Sequence, residues 1–324
     1  MRIALDAMGT DHAPSSEVGG AVAAVERDPG LEVLLIGDEA AIERDLRARG
    51  SHDRITVLHT RQSIGPGDSP VSALRRNPRS SIRLGVELQR TGEVDAFVSA
   101  GSTGAVMAAS LMALRLLPGV DRPALAAPFP TTEGKTLVVD VGANLQCKPQ
   151  HLVQFARLAS IYMQDVEGIE RPRVGLLNVG AEEVKGPGVL KVTHRLLARS
   201  DLNFVGNIEG RDIIHGACDV LVCDGLSGNV LLKFYESLAH FFFESFRSRL
   251  ESDLLHARLE DHFREFDYAE YGGVPLLGVN GVCIVCHGAS SDKAIGKAVG
   301  VATQVVRTGM VAHAERDLAA HRSA

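Results

Sequence analysis

The residues of this chain most suited to chemistry lie in short glycine-rich turns. Asp224-Gly225-Leu226-Ser227-Gly228-Asn229 follows the apolar run Val220 to Cys223 and leads into the helix-like stretch Val230 to Phe234. A polar turn between a strand end and a helix start aims backbone N–H groups and short side chains at an anion or a carbonyl oxygen. Asp140-Val141-Gly142-Ala143-Asn144 and Ser99-Ala100-Gly101-Ser102-Thr103-Gly104 repeat the pattern. Together they suggest one crevice built from strand ends.

Three further groups carry charge or hydrogen-bonding capacity. Lys185 stands in Asn178-Val179-Gly180-Ala181-Glu182-Glu183-Val184-Lys185-Gly186. Held at a strand end, its ammonium would neutralise a phosphate or a developing oxyanion; otherwise it is a solvated lysine after an acidic pair. The Asn229 amide can donate to an oxyanion or cap the helix that follows. Asp6, Asp11 and His12 place two carboxylates and an imidazole after the first strand, with helix capping by Asp11 and a plain turn role for His12 as the alternative.

Other chemistries find little support. Gly134-Lys135-Thr136 has Phe129 where a phosphate-binding loop requires glycine, and there is no G-x-G-x-x-G, G-x-S-x-G or H-E-x-x-H. Cys283 and Cys286 have C-x-x-C spacing inside an apolar strand-like run, which favours buried structural thiols over a metal or redox site. No metal and no cofactor is expected.

The elements that position these turns read as repeated β-α units. Strands are expected at 2–8, 31–37, 55–60, 95–100, 124–129, 136–141, 173–179, 203–206, 220–224 and 282–287, and most lack clean alternation, as in strands covered on both faces. Helices are expected at 15–27, 38–49, 70–90, 104–116, 149–165, 188–200 and 291–321. The succession predicts an α/β fold, a mostly parallel sheet with helices on both faces in three α/β/α layers. Residues 1–324 are read as a single catalytic unit, although Pro and Gly in 118–135 would suit a crossing between lobes.

Residues 229–271 contain neither Gly nor Pro. One straight helix of that length would reach about 65 Å, so a projecting helix or a bent helical hairpin is expected. Apolar residues from Leu238 to Phe266 recur every three or four positions with Arg247, Arg249, Arg258 and Arg264 between them. Such a stripe packs on the body or a second subunit, or meets lipid or a protein partner.

A formal charge of -6 argues against a nucleic-acid binder. An early acidic residue, Asp6, speaks against a secretion signal, and no apolar run reaches the roughly 18 residues of a membrane span. The expected compartment is the cytoplasm, where the 5 cysteines need no bridges.

Along almost its whole length the chain resembles the acyl-carrier-protein-dependent phosphate acyltransferases of bacterial phospholipid synthesis. The resemblance rests on residues 1–14, 99–105, 140–144, 178–186, Gly206-Asn207-Ile208-Glu209-Gly210-Arg211, 224–229 and His287-Gly288-Ala289-Ser290. It implies a fold like isocitrate and isopropylmalate dehydrogenases and phosphate acetyltransferase, a homodimer, and conversion of acyl-acyl carrier protein and inorganic phosphate to acyl phosphate. It implies Lys185 and Asn229 as catalytic, with Asp6, His12, Ser102, Gly142, Asn144, Asp224 and His287 around the substrate. The phosphate is expected among turns 101–104, 142–144 and 178–186. Thr10 departs from the family, which usually has a second glycine there; a turn needing positive φ would be disturbed by it. An NAD-dependent dehydrogenase of the look-alike fold and a regulatory module binding acyl groups are the alternatives. Because acyl phosphate is an amphiphile, weak peripheral attachment at the inner face of the membrane is expected, with the 238–266 arginines turned to lipid or to the acidic carrier protein.

Overall fold

A computed structural model describes residues 1–50, 52–65, 67–247 and 271–322. Two compact units divide the chain, Met1–Pro123 with Tyr271–Ala324, and Ala124–Glu270.

The first unit begins β1 (Arg2–Asp6), α1 (Ser15–Arg27), β2 (Glu32–Gly37), α2 (Glu39–Arg49), β3 (Ile55–His59), α3 (Pro70–Arg76), α4 (Ser81–Thr91), β4 (Ala96–Ser99) and α5 (Thr103–Ala113). In the second unit the order is β5 (Ala124–Thr131), β6 (Gly134–Val139), α6 (Pro149–Asp165), β7 (Arg173–Leu177), α7 (Gly188–Ala198), β8 (Asn203–Ile208), β9 (Val220–Val222) and α8 (Gly225–Arg247). The chain then returns to the first unit through β10 (Val274–Leu277), β11 (Cys283–Val285), α9 (Asp292–Thr308) and α10 (Met310–Arg322).

In the first unit the strands lie in the order β3-β2-β1-β4-β11-β10, all parallel except β10. The chain steps outward from β1 to β3 and then places β4 on the other side of β1. That reversal puts the turns after β1 and β4 side by side at the carboxyl ends of the strands, the usual place for a ligand in an open α/β sheet. Ile3, Leu5, Leu35 and Phe97 are fully buried in this sheet. Helices cover it closely because glycines allow it: a Cβ on Gly20 of α1 would meet Ile295 of α9 at 2.6 Å, and one on Gly85 of α4 would meet the Phe97 ring at 2.2 Å.

The second unit orders its strands β5-β6-β9-β7-β8, with β6, β9, β7 and β8 parallel and β5 antiparallel to β6. Phe129 pairs with Thr136 in the β5–β6 hairpin. The Gly134-Lys135-Thr136 sequence is therefore the start of a strand.

Each segment read as a strand contains one, and the fold is the expected mostly parallel α/β type. Three details differ. β10 was not expected, because Pro275 in so short a run argues against a strand; it sits beside β11, with Pro275 opposite Ile284. The single helix expected over 70–90 is two, α3 and α4, since Pro78 disfavours helical backbone at Asn77, which has φ -113° and ψ 71°. The helix expected over 291–321 is likewise divided, at Gly309, whose φ of 69° ends α9 in a left-handed cap. Of residues 229–271, the part through Arg247 is helical in α8; residues 248–270 of the expected projecting segment lie outside the described residues.

Candidate active site

In the second unit the turns after β6, β9 and β7 leave neighbouring parallel strands at the same edge. The first is organised by Asp140, which is fully buried. One carboxylate oxygen accepts from the N–H groups of Leu125, Gly142 and Ala143 at 3.0 to 3.1 Å. The other accepts from the Asn144 backbone at 2.7 Å and its side-chain amide at 2.9 Å. Burial pushes the Asp140 carboxyl above its ordinary range, and these donors oppose the shift. The aspartate is therefore the internal template of the turn. Asn144, also buried, spends its amide on that template.

The N-terminus of α8 is seated directly on this turn. Gly225 N–H donates to the Asn144 carbonyl at 2.8 Å. A Cβ on Gly228 would stand 1.9 Å from the Asp140 carbonyl oxygen, so only glycine permits the approach. Asp224 caps the helix by accepting from Ser227 N–H at 2.8 Å. Asn229, one turn into α8, donates its amide to Val141 O at 3.1 Å. Gly142 has φ 142°, and a Cβ there would lie 3.0 Å from the Asn229 amide nitrogen. Gly142, Asn144, Asp224 and Asn229 thus belong to one assembly. An amide nitrogen carries two hydrogens, so the Val141 bond leaves the second N–H of Asn229 for another acceptor.

Lys185 occupies the neighbouring loop after β7. Asn178 holds that loop closed, accepting from Val179 N–H at 2.8 Å and donating to the Lys185 carbonyl at 3.2 Å. Gly186, at φ 78°, fits because a Cβ would collide with Asn178 Oδ1 at 2.3 Å. Asn207 donates to Glu182 O at 2.9 Å and meets His194 at 3.0 Å, bracing the loop from β8 and α7. The Lys185 ammonium is about half exposed and 3.9 Å from Glu182, a loose contact that leaves it able to reach an anion.

In the first unit Asp6 ends β1 buried, accepting from Ser99 Oγ at 2.7 Å and Met8 N–H at 3.1 Å. Ser99 Oγ in turn accepts from Gly101 N–H at 3.0 Å. A Cβ on Gly9 would lie 2.5 Å from Gly101 N, so the turns after β1 and β4 are in backbone contact. Asp11 N–H donates to Gly288 O at 2.8 Å, which joins the turn after β11 to them. Asp6, His12, Ser102 and His287 are consequently carried on three adjoining turns. His12 and His287 are exposed, and Ser102 begins α5 without a side-chain cap.

Sequence reasoning missed Glu17. It is fully buried in α1, where it accepts from Thr10 N–H at 2.8 Å and from the Thr10 hydroxyl at 3.0 Å. Thr10 is not among the positive-φ residues, so its turn does not need glycine and its hydroxyl supplies a partner for the buried acid. Burial raises the carboxyls of both Glu17 and Asp6, against the hydrogen bonds they accept. The signal available in sequence was an acid immediately before the otherwise apolar stretch Val18 to Val25. Cys283 and Cys286 are free, buried thiols, that of Cys283 pushed up to about 12 by burial. No cluster suited to a metal ion occurs among the described residues.

Strand order, glycine turns at the carboxyl ends and a buried acid organising a turn in each unit define a mostly parallel α/β fold of the open-sheet, ligand-binding kind. A phosphotransacetylase from Streptococcus pyogenes superposes with a TM-score of 0.62 at 16% identity, over 94% of each chain. A 4-hydroxythreonine-4-phosphate dehydrogenase from Klebsiella pneumoniae gives 0.55 at 15% identity, over 96% of this chain and 98% of the other. At such identities these likenesses speak for the fold alone. The family model described as "Fatty acid synthesis protein" matches residues 1–313, and a phosphate acyltransferase of Desulforamulus reducens is 45% identical over 96% of this chain and 95% of its own length. The chain belongs to this phosphate acyltransferase family of enzymes.

Proposed function

We propose that the enzyme transfers a long-chain acyl group from acyl-acyl carrier protein to inorganic phosphate, giving acyl phosphate for phosphatidic acid and phospholipid synthesis. The observation that carries this reading is family membership over nearly the whole chain, with relatives named for acyl transfer to phosphate and a family model described by fatty acid synthesis. Growing fatty acids are activated as thioesters, which suits a carrier-linked donor. The alternative of an NAD-dependent dehydrogenase is supported by fold likeness only.

In the proposed reaction a phosphate oxygen attacks the thioester carbonyl. The tetrahedral oxyanion collapses, the carbon–sulfur bond breaks, and the carrier thiolate leaves and takes a proton from solvent. Phosphate is itself the nucleophile, so positioning and electrostatics suffice without a covalent enzyme intermediate. Lys185 holds phosphate or the oxyanion, and the second amide N–H of Asn229 donates to the oxyanion. Gly142 allows close backbone approach, while Asn144 and Asp224 hold the turn and helix that present Asn229. Asp6, His12, Ser102 and His287 are proposed to contact substrate from the turns of the first unit, orienting rather than removing protons.

The enzyme is proposed to act as a homodimer with weak, reversible contact to the inner face of the membrane. Val230, Phe234, Phe241 and Phe242 leave 42 to 64% of their surface exposed along α8, an apolar stripe suited to a second subunit or to lipid. No described helix is long and apolar enough to cross a membrane. Incubation with palmitoyl-acyl carrier protein and labelled phosphate tests the reaction; failure to form acyl phosphate and free carrier overturns it. Light scattering at micromolar concentration tests the assembly, and a mass of 34.6 kDa would contradict the dimer.

A further inference from the structure

We infer that the outward half of α7 is the docking surface for an acidic protein partner, which in the reading above is the carrier that brings the acyl group. α7 is amphipathic in an unusual way. Thr193 and Leu197 are fully buried against the body of the second unit, and His194 is tied to Asn207. At about 100° per residue, two stripes lie outside this buried face, the first on its flank and the second opposite it. One is aliphatic: Val189, Val192 and Leu196 each remain 38 to 40% exposed. The other is basic: Lys191, Arg195 and Arg199, spaced four apart.

The charge is one-sided. From Val184 to Ser200 the chain contains no acidic residue. The acid that follows, Asp201, is paired with Arg157. Arg195 meets only the Lys191 carbonyl, at 3.3 Å, and among the described residues Lys191, Arg195 and Arg199 form no ion pair. Unpaired cations beside exposed aliphatic groups match a surface with carboxylates flanking a small apolar patch, as an acidic amphipathic helix presents. A nucleic acid would use the cations but leave the valines wet. The place is also apt: α7 begins three residues after Lys185, so a partner seated on it stands next to the loop proposed to hold phosphate.

The test compares two donors carrying the same palmitoyl thioester, one on the carrier protein and one on pantetheine alone. In the double variant Arg195→Glu/Arg199→Glu, KM for the carrier donor should rise about tenfold or more at low salt, the rise should fade at high salt, and kcat should be kept. Turnover of palmitoyl-pantetheine should be unchanged. Val192→Ser/Leu196→Ser should raise the carrier KM with no added salt dependence. Melting curves matching the parent would show both variants folded. An unchanged carrier KM overturns the proposal, as does equal loss with both donors. Loss of binding to vesicles of anionic lipid with the carrier KM intact would also overturn it, by assigning the stripe to a membrane. If the parent enzyme makes no acyl phosphate from the carrier donor, the proposed reaction fails separately; anisotropy of labelled carrier against parent and Arg195→Glu/Arg199→Glu then still decides the surface.

Discussion

The side-chain amide of Asn229 donates to the backbone carbonyl of Val141 at 3.1 Å, across a gap kept open by the missing side chain of Gly142. One hydrogen bond thereby ties the first turn of α8 to the turn after β6 and fixes the direction of the other amide N–H. Asn229→Ala should lower kcat by about 10²- to 10³-fold, the range for losing one donor to a developing oxyanion, with KM for phosphate little changed. Steady-state kinetics decide it; a variant with near-normal kcat would leave Asn229 as a helix-seating residue only.

Lys185 belongs to a loop braced by Asn178 and Asn207 while its own ammonium has only a loose ionic contact. Lys185→Ala should cut turnover by roughly 10²-fold or more without loss of stability, because a half-exposed ion pair of this kind contributes little to folding. Equal melting temperatures with unequal rates are the expected result. Normal turnover would return the lysine to the role of a solvated surface residue.

Gly228 offers a prediction whose sign opposes helix propensity. Within a helix, glycine to alanine ordinarily stabilises by about 1 kcal/mol. Here the new Cβ would fall 1.9 Å from the Asp140 carbonyl oxygen, so α8 must move off the turn. Gly228→Ala should destabilise by about 1–3 kcal/mol and displace Asn229, lowering activity as well. Denaturant titration showing a gain in stability would refute the packing described for α8.

The Glu17 carboxyl is raised above its ordinary 4.5 by burial. The folded protein then binds a proton that the unfolded chain has released, in the window between the unfolded and folded values. Its contribution to stability falls as pH rises through that window, and above it the buried charge is carried at full cost. Glu17→Gln keeps an acceptor for the Thr10 N–H and removes the charge. Relative to the parent, the variant should gain melting temperature as pH is raised from acid toward neutral; a difference independent of pH would contradict the assignment.

The sequence by itself determined the order of most elements and where the glycine-rich turns fall between them. Buried parallel strands such as Val220–Val222 must be continuous apolar runs, and glycine-rich turns at their ends mark where backbone approaches closely, so β9 and the Asp224–Asn229 turn were legible at once. Local punctuation decided less where it competed with a long periodic pattern: Pro78 and Gly309 each broke a helix read as continuous, and Pro275 concealed a strand. What only the tertiary structure decided was which polar groups face one another. Asp140 reads as an ordinary strand-end acid until the fold closes Leu125, Gly142, Ala143 and Asn144 around it. Glu17 reads as a helix-start acid until the fold brings the Thr10 N–H and hydroxyl to it. The physical reason is common to both. Periodicity and turn chemistry act between residues near in sequence, whereas the partner of a buried carboxylate is set by burial and by which backbone N–H groups the fold brings to it.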